Sequence, residues 1–192
     1  MKPDILLQHL SKSFGPKVVL QDLTCTFPTG QVSACMAPSG TGKTTLLRIL
    51  MGLETADQGE IQGLSAYRLA VQFQEDRLSD HLDAEANIRL VSPHLTAMEI
   101  GAALEAVSLT DCQGQPAEEL SGGQKRRIAL LRALLSEGDL LLLDEPFRGL
   151  DAATKETVMA YTRALCQGRT TILVTHDEAE AQALGAKVLL RL

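Results

Sequence analysis

The run Ala37-Pro38-Ser39-Gly40-Thr41-Gly42-Lys43-Thr44-Thr45 has residue types suited to one task, holding a phosphate. Gly40 and Gly42 permit a tight turn in which several backbone N–H groups converge on an anion. Lys43 offers a full positive charge to terminal phosphates, and the Thr44 hydroxyl suits Mg²⁺. The phosphate-loop pattern G-x-x-x-x-G-K-[ST] begins with glycine, and Ala37 stands in that place. Alanine fits if φ there is negative and strains the turn otherwise. Taken alone, the run also reads as a Gly-rich turn beside a surface lysine.

Three later stretches bear on the same chemistry. Leu120-Ser121-Gly122-Gly123-Gln124 precedes a helical pattern. Ser121 is placed to cap that helix, and the two glycines expose N–H groups, so a second anion site can form. Alone, this too is only a helix start. The aliphatic run 140–143 delivers Asp144 and Glu145 at its end, before Pro146. Adjacent strand residues point to opposite faces, so the two carboxylates can divide the work. Asp144 suits a hydrated Mg²⁺ and Glu145 suits an attacking water, as general base. The blander reading is a charged turn. His176 follows a further apolar run and falls at the same edge.

These residues need rigid elements to bring them together. The sequence predicts strands at 5–10, 18–23, 24–27 and 32–36, the last leading directly into the phosphate loop. A helix is predicted over 44–51, with Gly52 as its stop. Short strands follow at 60–62 and 70–73. Residues 83–107 read as two helical segments broken near Ser92-Pro93, and 122–135 as a helix. The run 139–143 has no alternation, as a strand buried on both faces requires. Helix 152–166, strand 170–174, helix 177–184 and a last strand at 188–192 complete the pattern. Alternating strands and helices predict an α/β fold with a mostly parallel sheet.

The 192 residues suffice for one domain with a sizeable core. A net charge of −6, 3% aromatics and no Trp argue against a nucleic-acid surface. Lys125-Arg126-Arg127 is the local exception, and it reads as a solvated helix face. Cys25, Cys35, Cys112 and Cys166 lack metal-ligand spacing and read as reduced thiols. No secretory signal or membrane-spanning run is apparent, so any membrane role calls for docking on another subunit.

The ordered set APSGTGKTT, Gln74, LSGGQ, LLLLDEP, the GLD ending at Asp151, and His176 resembles the nucleotide-binding subunit of ATP-binding cassette (ABC) transporters over essentially the whole chain. The resemblance implies a P-loop NTPase cassette spanning 1–192, with an N-terminal antiparallel β subdomain and a short helical subdomain at about 83–119. It implies ATP and Mg²⁺ as cofactors. ATP would contact Pro38, Ser39, Gly40, Thr41, Gly42, Lys43, Thr44 and Thr45 of one subunit. Ser121, Gly122, Gly123 and Gln124 would come from a second subunit, with Asp151 at the seam. Thr44, Gln74 and Asp144 would hold Mg²⁺, and Glu145, His176 and Gln74 would serve catalysis. Phe14 falls where the family places an aromatic under adenine, usually Tyr; a core aromatic at a strand end is the other reading.

Implied partners are a second cassette, identical or homologous, integral-membrane permease subunits around 74–90, and a solute-binding protein, with no nucleic acid. The implied location is the cytoplasmic face of the cell membrane. The Pro and Trp often found near 75–82 in importer relatives are absent. Phe147 and a chain that ends soon after His176 resemble bacterial importers of the nitrate, sulfonate or taurine type. An exporter-type ATPase is the alternative within the class. A soluble cassette in DNA repair or on ribosomes lies outside transport, and the chain lacks the coiled coil or second cassette those carry. Glu145 and His176 speak against a non-catalytic binding module.

Overall fold

Strands without polar alternation need apolar cover on both faces, and the fold provides it. The computed structural model describes residues 2–36, 41–112 and 114–191. Its central sheet contains β3 (Val32–Met36), β5 (Leu69–Gln72), β6 (Leu140–Asp144), β7 (Thr170–Thr175) and β8 (Lys187–Arg191). The strand order is β5-β6-β7-β3-β8, and every pairing is parallel. Along β6 the side chains divide by parity. Leu141 and Leu143 join the core beneath the helices, while Leu140 and Leu142 join a second core on the opposite face.

That second core is closed by α1 (Lys43–Leu50) and by an antiparallel sheet of order β2-β1-β4. Its strands are β1 (Ile5–Phe14), β2 (Lys17–Phe27) and β4 (Gln58–Gln62). Both β1 and β2 are longer than the residue pattern suggests. The polar Ser11-Lys12-Ser13 reads as a boundary, yet β1 continues through it by shifting register against β2. Such shifts carry an extra residue and re-aim side chains without ending the ladder. They also merge the expected strands 18–23 and 24–27 into β2.

The first core is covered by α2 (Ala84–Arg89), α3 (Ala97–Ala106), α4 (Gly122–Leu134) and α5 (Ala152–Cys166), with α6 (Glu178–Ala183) following β7. The break near Ser92-Pro93 is real and has local causes. The Thr96 side chain accepts from Glu99 N and the Glu99 side chain accepts from Thr96 N, so α3 starts afresh. Buried Ser92 donates its hydroxyl to the Leu135 carbonyl, which ties the break to the end of α4.

Parallel strands all end at one edge. Met36 lies opposite Thr175, Asp144 opposite Val174, and Gln72 opposite Leu143. The loops leaving β3, β5, β6 and β7 therefore converge there, where open α/β sheets place ligands.

Candidate nucleotide site

Gly42 caps α1 with φ of 102°. A Cβ there would lie 2.6 Å from the Val19 carbonyl oxygen and 2.9 Å from Leu20 Cδ2. Both the left-handed backbone and the close approach of β2 therefore demand glycine. Immediately after it, Lys43 is only 5% exposed, and its Nζ lies 3.7 Å from Glu145 Oε1. A cleft of about 290 Å³ opens here, with Phe14, Gly42, Lys43, Thr45, Gln74 and Glu145 on its walls. Thr41 belongs to the turn into α1. Pro38, Ser39 and Gly40, together with Ala37, lie outside the described residues.

Thr44 donates its hydroxyl to Asp144 Oδ2 at 3.3 Å. Asp144 is buried, and burial pushes its carboxyl up from 3.8 to about 6, against the Thr44 hydrogen bond and with help from the neighbouring Glu145 charge. The folded protein therefore keeps a proton that the unfolded chain releases between those two values. Stability falls as pH rises through that window, and the cost is fully present above it. It amounts to roughly 2–3 kcal/mol. In Mg²⁺-free buffer, Asp144→Asn removes this loss, so the variant gains on the parent by about that amount between pH 4 and pH 7. Urea unfolding at the two pH values checks it; equal changes in both proteins would mean that Asp144 titrates normally.

Glu145 sits at φ 48°, a left-handed position that costs a non-glycine residue about 1 kcal/mol or more. Its N–H donates to the Val174 carbonyl at 2.9 Å, which anchors the backbone to β7. Its carboxylate is ringed by Lys43, by His176 Nδ1 at 3.3 Å and by Arg148 Nη1 at 3.8 Å. His176 is mostly exposed, but its loop is tethered. Lys155 Nζ reaches the carboxylates of Asp177 and Glu180, each at 2.7 Å, and buried Glu180 accepts from the Thr175 hydroxyl.

Gln74 follows β5 and lines both this cleft and a second one of about 260 Å³ beyond Thr44 and Asp144. The segment carrying it is bolted to α4. Arg126 Nη1 donates to the Phe73 carbonyl at 3.2 Å, and its Nε faces Asp76 Oδ1 at 3.2 Å. Arg132 donates to the Asp76 carbonyl. Arg127 donates to the carbonyls of Val107 and Ser108 at 2.8 and 2.7 Å. The expectation of a solvated face over 125–127 is thus corrected. All three of its cations are half-buried and donate to backbone carbonyls of neighbouring segments, Lys125 to that of Glu118 at 3.3 Å. Their position flanking the buried stripe of α4 is the signal that could have shown this.

Ser121 caps α4 as expected. Its hydroxyl accepts from Gln124 N at 3.3 Å, and Gln124 Oε1 accepts from Ser121 N at 2.8 Å. Asp151 caps α5 through Thr154 N at 3.0 Å. Neither Asp151 nor any of Ser121, Gly122, Gly123 and Gln124 lines the cleft at Lys43 among the described residues. Within one chain the two candidate anion sites stay apart. Phe14, 49% exposed, does reach the cleft. Sequence reasoning missed Arg148, which could have been flagged as a cation three residues past Glu145.

The residues fit a nucleotide with a cation. Gly42 leaves room where any side chain would collide, Lys43 is buried facing a carboxylate, and Thr44 and Asp144 pair two oxygen ligands. No cluster of three or more His, Cys, Asp or Glu side chains able to hold a metal exists among the described residues. A cation here would depend on few protein oxygens plus phosphate, which is how Mg²⁺ is usually held.

Fold and site together define a P-loop nucleotide-binding domain. The chain belongs to the ABC transporter family, whose model matches residues 20–148. It is 38% identical over 206 residues to the sulfate/thiosulfate import ATP-binding protein CysA of Yersinia pestis, covering 96% of this chain and 57% of that protein. The Escherichia coli K12 protein of the same name is 37% identical, with 96% and 56% covered. The aliphatic sulfonates import ATP-binding protein SsuB 2 of Pseudomonas fluorescens is 40% identical over 194 residues, with 97% and 72% covered. The chain spans less than two thirds of the sulfate/thiosulfate relatives. No helix among the described residues is long and apolar enough to cross a membrane.

Proposed function

We propose that this chain is the ATP-hydrolysing subunit of an importer, acting as a dimer docked on membrane permease subunits at the cytoplasmic face. One observation carries the reading. Lys43, the Thr44–Asp144 pair, Gln74, and Glu145 with His176 meet at one sheet edge, while Ser121–Gln124 stands outside the cleft. The names of the relatives support the import direction. A solute-binding protein would complete the system. Selectivity would reside outside this chain. Residues 1–192 then form one cassette, with 83–119 as its helical subdomain.

In this reading Lys43 and the N–H groups of the phosphate loop hold the terminal phosphates, with Thr45 beside them and Phe14 under the base. Thr44, Asp144 and Gln74 hold Mg²⁺, which neutralises phosphate charge. Glu145 orients a water and takes its proton, and His176 holds the Glu145 carboxylate and reaches toward the outermost phosphate. Ser121, Gly122, Gly123 and Gln124 of the second protomer close the other side, with Asp151 at the seam. Because neither half encloses the phosphate, the closed dimer binds ATP better than the open one, and that difference drives closure. Hydrolysis removes it.

The test is twofold. ATPase activity per molecule should rise with protein concentration, since the site needs two chains. Complexes taken from native membrane should contain a multi-span protein. Activity per molecule independent of concentration, down to a single chain, would rule out the shared site.

A further inference from the structure

We propose that Lys12 is a positioning residue for nucleotide binding, fixing the Phe14 ring at the mouth of the cleft. The inference rests on the reading of Phe14 as the surface on which the base stacks. Residues two apart on a strand share a face, so Lys12 and Phe14 of β1 lie side by side. Lys12 Nζ is 5.2 Å from the centre of the Phe14 ring. The Lys12 side chain is only 11% exposed, and the ammonium is locked by Glu54 Oε1 at 2.9 Å and Asp57 Oδ1 at 3.1 Å.

The lock extends to the backbone. Asp57 Oδ2 accepts from Ser13 N at 2.7 Å, and Asp57 N donates to the Ser11 carbonyl at 2.8 Å. One aspartate thus holds residues 11, 12 and 13, the approach to Phe14. Phe14 itself is half-exposed and precedes a glycine turn at φ 58°, so little else restrains its ring. A cation against one face of an aromatic ring is attracted by the ring's quadrupole and leaves the other face free. A ring held before the ligand arrives loses less entropy on binding, which tightens affinity.

The pairing also separates two ligand chemistries. Lys12 should matter for ligands that carry a base and not for phosphate alone. Lys12→Gln keeps hydrogen-bond donors toward Glu54 and Asp57 while removing the charge beside the ring; Lys12→Arg restores a cation. The probes are ADP and inorganic tripolyphosphate, measured by calorimetry or competition. Lys12→Gln should weaken ADP roughly three- to tenfold, leave tripolyphosphate within about twofold, and be rescued by Lys12→Arg. In a Phe14→Ala background the Lys12 substitution should add nothing, because the two residues act as one unit.

If Phe14→Ala leaves ADP affinity unchanged, the stacking reading fails and this inference falls with it. If Phe14→Ala weakens ADP but Lys12→Gln does not, the positioning role of Lys12 alone is overturned. Equal loss of ADP and tripolyphosphate in Lys12→Gln, with or without a lowered melting temperature, would overturn it too, because the effect would then act on the fold or phosphate loop.

Discussion

Glu145→Gln should leave ATP bound and reduce turnover about 10²- to 10⁴-fold. The substitution is nearly isosteric at a position 8% exposed, so the φ 48° backbone and its bond to Val174 survive. What disappears is an oxygen able to take a proton from water. The charge at the centre of Lys43, His176 and Arg148 disappears with it. Lys43 and Arg148 then lose their contact with the Glu145 carboxylate while the phosphates remain, so ATP affinity should hold or rise. With hydrolysis blocked, the ATP-loaded closed state should accumulate as a dimer, visible by size-exclusion chromatography with ATP and absent without it. A variant that hydrolyses ATP at the parental rate would remove Glu145 from the role of base.

Lys43→Ala should act earlier, on binding itself. Truncating one member of a buried charged pair typically costs about 2–5 kcal/mol, or roughly 30- to several-thousand-fold in affinity. In the proposed reading Lys43 makes such a pair with the phosphates, since it is 5% exposed and stands on the wall of the cleft. The loss should appear for both ATP and ADP in direct titration, whereas Glu145→Gln spares both. Unchanged affinity would undo the assignment of the phosphate loop, the Ala37 variant included. Together the two substitutions separate holding the nucleotide from attacking it, which is the division of labour that the cleft geometry supports.

The segment 73–77 faces the second cleft, and Arg126 and Arg132 of α4 hold it from behind. The same helix begins at the Ser121 cap. A displacement at Gln74 therefore has a packed path to the residues proposed to reach across the dimer. Arg126 provides much of that path, through one carbonyl and one carboxylate.

Much was legible in the sequence because it rests on local rules. The glycine at 42, the Ser121 cap, the unbroken aliphatic run of β6 and the break at Ser92-Pro93 each follow from backbone sterics, hydrogen-bond satisfaction or burial within a few residues. Helix 152–166 and strand 32–36 coincide with α5 and β3 for the same reason. Chemistry-bearing residues at strand ends then fall at one edge once the sheet is parallel.

Tertiary structure decided what depends on partners far along the chain. Lys12 looked like a strand boundary until Glu54 and Asp57, more than 40 residues away, turned it into a buried anchor. Arg126 and Arg127 looked solvated until the loops at 73–76 and 107–108 presented their carbonyls to them. The continuation of β1 and β2 through polar residues needed the register shifts of a real pairing. Periodicity reports which face of an element is apolar; it cannot report which distant polar group must be satisfied, because that depends on how the elements pack.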